Sequence, residues 1–151
     1  MKRPPRRLHG LGVLSAGIVL TVWVAWMTTD VAARTSWTRS EILHAIRMVE
    51  SGGRSRPPDG DGGLAIGPYQ IHEIYWKDAI AAEPSIGGSY QDCRNRDYAE
   101  RIIAAYMRRH AAEAWQNHDA EVIARTHNGG PNGPRKSATD RYWKRVKSYL
   151  R

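Results

Sequence analysis

The apolar residues from position 42 onward fall at helical spacing: Ile42, Leu43, Ile46 and Val49 share one face, with Glu41, His44 and Arg47 between them. This predicts an amphipathic helix with Ser40 at its N-cap. Ser51-Gly52-Gly53 stops it and leaves Glu50 at the helix C-terminus, facing a loop. Residues 54–63 (RSRPPDGDGG) hold three Gly, two Pro and two Asp, a loop composition. Residues 64–71 (LAIGPYQI) are short, apolar and interrupted by Gly-Pro, which suits a small hairpin. Residues 73–82 read as a short helix. The longest helical pattern runs over residues 97–115, with Tyr98, Ile102, Ala105, Tyr106 and Arg109 near one stripe. Asp119 caps a helix through Val122 and Ile123, which His127-Asn128-Gly129-Gly130-Pro131 stops. Thr139 is the expected cap of a last helix carrying Tyr142, Val146 and Leu150. The chain therefore reads as α+β, mostly α, with one small β-hairpin early.

Ahead of this lies a different kind of pattern. Lys2, Arg3, Arg6 and Arg7 precede a 17-residue apolar run over residues 11–27, and Val31-Ala32-Ala33 supplies small residues. A charged start, an apolar middle and a small-residue site describe an export signal. The run also sits at the lower edge of what spans a bilayer, so two readings stand: a cleaved signal peptide or an uncleaved signal anchor over 1–33. Both place residues 34–151, one domain by length, outside the cytoplasm.

The whole chain of 151 residues carries a net charge of +8. Removing residues 1–33 takes away four basic side chains and Asp30 and leaves +5. An exported basic domain is drawn to an anionic cell envelope. Nucleic acid is a poor partner, because the basic residues are scattered and export removes the chain from it. The single cysteine, Cys93, excludes an intramolecular disulfide and a cysteine zinc cluster. The core must then carry the stability unaided.

Several candidate chemistries fail on spacing. Asp59-Gly60-Asp61 opens like a calcium loop, but Gly63, Leu64 and Gln70 stand where ligands and a turn glycine belong. Residues 130–137 (GPNGPRKS) half-resemble a phosphate loop, with Arg135 where a second glycine is required. No histidine pair has helical ligand spacing, and nothing in the pattern calls for a metal or cofactor. An acid pair remains. Glu50, at a helix C-terminus beside two glycines, is placed for a raised pKa through desolvation and the helix dipole. Asp61 lies in a solvated glycine-rich loop. Two carboxylates in unlike environments make a general acid and a nucleophile or electrostatic stabiliser, the requirement of glycoside hydrolysis. By spacing alone, a solvated helix end and an ordinary turn aspartate explain the same residues.

Glu50-Ser51-Gly52-Gly53, Gly67-Pro68-Tyr69-Gln70-Ile71 and Tyr75-Trp76-Lys77-Asp78 resemble the invertebrate-type lysozyme (destabilase) family. So do Ala105-Tyr106-Met107-Arg108-Arg109, the segment from Ala124 to Gly133 (ARTHNGGPNG), and Tyr142-Trp143-Lys144. The motifs occur in the family's order over about residues 40–148. The resemblance implies a lysozyme-like fold with a helical body, a small β element and a cleft for the glycan strands of peptidoglycan. It matches Glu50 to the family's general acid. The second carboxylate falls in a loop of departing length, where Asp61 aligns better than Asp59. Tyr69, Gln70, Tyr75, Trp76, His127, Asn128, Gly129, Gly130 and Pro131 match positions around the cleft, although core packing is the simpler reading for Trp76 and Tyr106.

The family is cysteine-rich and this chain is not, which points to a bacterial-side relative and leaves the geometry around Asp61 open. No Ser/His pair supports the isopeptidase activity of some members. The expected function is hydrolysis of the β-1,4 bond between N-acetylmuramic acid and N-acetylglucosamine. A lytic transglycosylase and a non-catalytic peptidoglycan-binding module are the rivals, and no protein partner is indicated.

Overall fold

The computed structural model describes residues 37–150. Residues 1–33, read from the sequence as an export signal, lie outside the described residues. Six α-helices and one two-stranded sheet make up the domain: α1 Arg39–Ser51, β1 Ala65–Ile66, β2 Ile71–His72, α2 Glu73–Ala82, α3 Arg96–His110, α4 Ala112–Asn117, α5 Ala120–Gly129 and α6 Asp140–Lys147. Short 3-10 turns link them. This is the mostly α architecture with one small hairpin that the pattern predicts.

Helix α3 is the axis of the core. It buries Tyr98, Ala99, Ile102, Ile103, Ala105, Tyr106 and Met107, and packs against α2, α4 and α5. Helix α1 contributes Ile42, Leu43, Ala45, Ile46 and Val49 and packs on α5 and α6. Arg109, expected on the buried stripe, turns to the surface and pairs with Asp78 at 3.1 Å.

Three element ends differ from expectation, each for a local reason. The cap of α1 is Thr38, not Ser40: its hydroxyl accepts from the Glu41 amide at 3.2 Å and its own amide donates to the Glu41 carboxylate at 2.7 Å. That reciprocal pair satisfies two otherwise orphaned donors. The stretch 97–115 is two helices, broken at Ala111 (φ −148°) with no Gly or Pro to mark it. Tertiary contacts set the break. His110 hydrogen-bonds Asp78 of α2, and Trp115 is drawn into the core with the Arg39 guanidinium 4.5 Å over its ring. Thr139 precedes α6 but does not cap it. Its buried hydroxyl lies 2.8 Å from the carbonyls of Gly133 and Lys136 and accepts from Arg125 Nε.

The hairpin pairs Ala65 with His72 and Ile66 with Ile71, antiparallel. Strands this short do not hold themselves together. The Tyr90 hydroxyl supplies a brace, 2.9 Å from both the Leu64 and Ile71 carbonyls. Gly67 in the turn has φ +74°, and a Cβ there would lie 2.1 Å from the Cys93 carbonyl oxygen, so only glycine fits this approach.

Candidate active site

Glu50 is the penultimate residue of α1, and Gly52 at φ +62° ends the helix by donating its amide to Met48. The chain then leaves sharply, so the carboxyl sits over a cleft instead of along the helix surface. The side chain is only 18% exposed. Burial raises its pKa from 4.5 to about 7, against the opposing pull of the Tyr142 hydrogen bond and the Arg145 charge. Tyr142 on α6 donates to Glu50 Oε1 at 2.6 Å. With Oε1 engaged as an acceptor, the carboxylic proton belongs on Oε2.

Beneath the acid lies His127 of α5, its ring Nε2 3.2 Å from the Tyr69 carbonyl and 3.7 Å from Glu50 Oε1. Burial holds its pKa down at about 4, so the ring is neutral near pH 7 and donates Nε2–H to the Tyr69 carbonyl. Tyr75 stacks on Tyr106 with ring centroids 3.6 Å apart and meets His127 edge-on at 5.6 Å. The Tyr75 hydroxyl and His127 Nδ1 are both buried without a hydrogen-bond partner. Unsatisfied polar atoms are rare in folded proteins, and two of them line one cleft.

Asp61 lines the same cleft. Gly60 and Ala65 exchange backbone hydrogen bonds of 2.9 and 3.1 Å, closing the loop 61–64. Inside it Asp61 itself adopts φ +50°, and Gly62 and Gly63 follow at +63° and +97°. A left-handed non-glycine residue is strained, a condition that gathers at functional sites. Its Oδ2 lies 3.4 Å from His72 Nε2. Gln70, also left-handed at φ +48°, ties the loop to the hairpin: its amide donates to Gly67 at 2.9 Å and to Pro58 at 3.3 Å.

The cleft of about 340 Å³ is lined by Glu50, Asp61, Gln70, His72, Tyr75, His127 and Asn128, with Ala65 and Ile71. The structure thus brings together Glu50, Asp61, Gln70, Tyr75, His127 and Asn128 from the residues singled out in the sequence. Asp59 is elsewhere: Arg94 holds both its oxygens in a fork, at 2.8 Å for the second, and keeps its pKa below the usual carboxylate range. Tyr69 is fully buried with its hydroxyl donating to Glu100 at 2.7 Å, and only its backbone reaches the site. Trp76 donates its indole N–H to the Tyr98 hydroxyl at 2.9 Å, a packing role. Gly129 and Gly130 shape the end of α5, where a Cβ at Gly129 would strike Thr139. Pro131 lines a separate groove beside His110 and Pro134.

Two participants were not read from the sequence. Tyr142 had a helical position but no task, because nothing local says that α6 returns to the end of α1. His72 lay at the join of hairpin and helix, and its alternation with Gln70 was the available signal. Among the described residues no cluster of three or more His, Cys, Asp or Glu side chains could hold a metal ion.

Comparison with known proteins shows the family. The Destabilase family model matches residues 39–149. Lysozyme 1 of Crassostrea virginica is 33% identical over 139 residues, covering 91% of this chain and 73% of its own. A lysozyme of Magallana gigas is 39% identical over 110 residues, 71% of this chain and 77% of its own. The crystal structure of Tapes japonica lysozyme superposes with a TM-score of 0.58 at 32% identity, covering 71% of this chain and 86% of that one. A chain of the crystal structure of Aeromonas hydrophila PliI in complex with Meretrix lusoria lysozyme reaches 0.61 at 31% identity, covering 76% and 93%.

Proposed function

The chain belongs to the destabilase family of invertebrate-type lysozymes, and from that premise we propose how its cleft cuts peptidoglycan. The enzyme is a lysozyme, a glycosidase acting on the β-1,4 bond between N-acetylmuramic acid and N-acetylglucosamine. Glu50 is the general acid. Held protonated by burial up to about pH 7, it delivers the Oε2 proton to the leaving glycosidic oxygen. Asp61, in the same cleft, stabilises or captures the glycosyl centre as the bond breaks. Water then attacks, with Glu50 now acting as the base. Gln70, His72 and Asn128 offer polar groups at the cleft wall to the sugar hydroxyls and acetamides. Residues 1–33 direct the domain out of the cytoplasm, to the compartment where its substrate lies.

The observation that carries this reading is the convergence of Glu50 and Asp61, eleven positions apart, on one cleft with unlike surroundings: 18% against 66% side-chain exposure. The test is turnover of purified peptidoglycan by the single variants. Glu50→Gln is expected to lose at least about a hundredfold, the usual contribution of a positioned acid. Asp61→Asn is expected to lose activity as well, while Asp59→Asn retains it. Full activity in Glu50→Gln would overturn the assignment.

A further inference from the structure

A groove of about 960 Å³ lies apart from the catalytic cleft. It lies along the loop after α1, with the hairpin turn at Gly67 and Pro68 in its wall, and it is lined by Arg47, Arg54, Arg56, Arg94 and Arg96, with Asp97 as the lining carboxylate. Five guanidinium groups against one carboxylate make its lining cationic. Three of the arginines are committed inside the protein. Arg47 donates to the Gly53 carbonyl, Arg94 grips Asp59, and Arg96 pairs with Asp97 at 2.8 Å. Arg54 and Arg56 are exposed, and among the described residues their guanidinium groups have no protein partner.

We propose that this groove binds a phosphodiester-linked anionic polymer of the cell wall, a chain of polyol phosphates, beside the glycan being cut. The planar guanidinium fork matches phosphate oxygens two at a time. One residue separates Arg54 from Arg56, so their Cα atoms lie no more than about 7 Å apart. From such neighbouring stems the two guanidinium groups can reach successive phosphates joined through a single three-carbon polyol. No aromatic side chain lines the groove, so bases would find nothing to stack on, which favours a polyol phosphate over a nucleic acid. The wall as the setting rests on the proposed function; polymer binding itself does not require Glu50.

The experiment is calorimetric titration of the full-length protein with poly(glycerol phosphate) at two salt concentrations, alongside single-stranded DNA with the same number of phosphates. The double variant Arg54→Gln/Arg56→Gln is expected to bind the polymer at least tenfold more weakly, with a salt slope shallower by about one to two. Its turnover of soluble, phosphate-free peptidoglycan fragments and its melting temperature are expected to match the wild type. Glu50→Gln is expected to bind the polymer normally, which separates failure of this site from failure of the catalytic assignment. An unchanged dissociation constant in the double variant would overturn the proposal. So would wild-type binding of DNA as tight as that of the polymer, which would make the groove a general polyanion site.

Discussion

Burial raises the pKa of Glu50 to about 7, while the Tyr142 hydroxyl and the Arg145 guanidinium pull it the other way. The balance has two consequences. Activity falls as pH rises through about 7, since only the protonated acid can serve the leaving group. Tyr142→Phe removes a hydrogen bond that favours the carboxylate, so the alkaline limb of kcat/KM moves up, by about one pH unit for a charge-assisted bond. A purely structural role for Tyr142 would lower activity at every pH and leave the limb in place. The second consequence concerns stability. A carboxyl whose folded pKa lies above its unfolded value of 4.5 destabilises the fold progressively as pH rises from 4.5 to about 7. Glu50→Gln cannot ionise, so its advantage over the wild type grows across that window and levels off near about 3 kcal/mol above it. Urea unfolding at pH 4 and pH 8 measures this: equal stabilities at the lower pH and a more stable variant at the higher are expected, and equal midpoints at both would contradict the buried acid. The raised pKa was legible in the sequence from a helix end beside Gly52 and Gly53. The two neighbours that oppose it were not, because Tyr142 and Arg145 lie more than ninety positions away.

The site is assembled by a few connections between elements, and Arg125 is the densest of them. Its guanidinium, 14% exposed, bonds Thr139 at 2.9 Å, Glu121 at 2.9 Å, Asp140 at 2.7 Å and the Lys136 carbonyl at 3.1 Å. It thereby fastens α5 to the segment that leads into α6 and sets the position of Tyr142. Arg125→Ala is expected to cost about 2 kcal/mol, discounted from the full value of a buried pair because Glu121 and Asp140 are half exposed. The unfolding midpoint in urea reads that loss, and the pH profile is expected to shift in the same direction as for Tyr142→Phe. Local signals sufficed for elements whose ends are written in the chain. Residues 73–82 form α2 with the predicted bounds, and Asp119 caps α5 through the Val122 amide. They failed where distant groups decide. The break at Ala111 depends on Asp78 and on burial of Trp115, and the hydroxyl of Thr139 is taken by Arg125 and two carbonyls instead of a helix amide.

At the scale of the whole domain, stability rests on the core around α3 and not on disulfides. Cys93 is fully buried, and burial pushes its thiol up to about 12, so it behaves as a small apolar residue. The loop that carries Asp61 is held by three noncovalent ties: the Gly60–Ala65 backbone pair, the Gln70 amide and the Arg94–Asp59 fork. Together they place Asp61 in the cleft and keep Asp59 out of it, a distinction that spacing within RSRPPDGDGG could not make. The motif series from Glu50 to Trp143 disclosed the family because it is ordered along the chain. The order says nothing about which side chains turn inward, and so it could not show that the Tyr69 side chain is buried or that Pro131 lines a separate groove. The central claim is that Glu50 and Asp61 hydrolyse the glycan, and mass spectrometry of purified peptidoglycan digested by the wild type and by Glu50→Gln tests it most directly. Muropeptides with free reducing ends from the wild type, and intact glycan with the variant, are the predicted result. Products ending in 1,6-anhydro sugars would contradict it, removing water from the reaction and Asp61 from the mechanism.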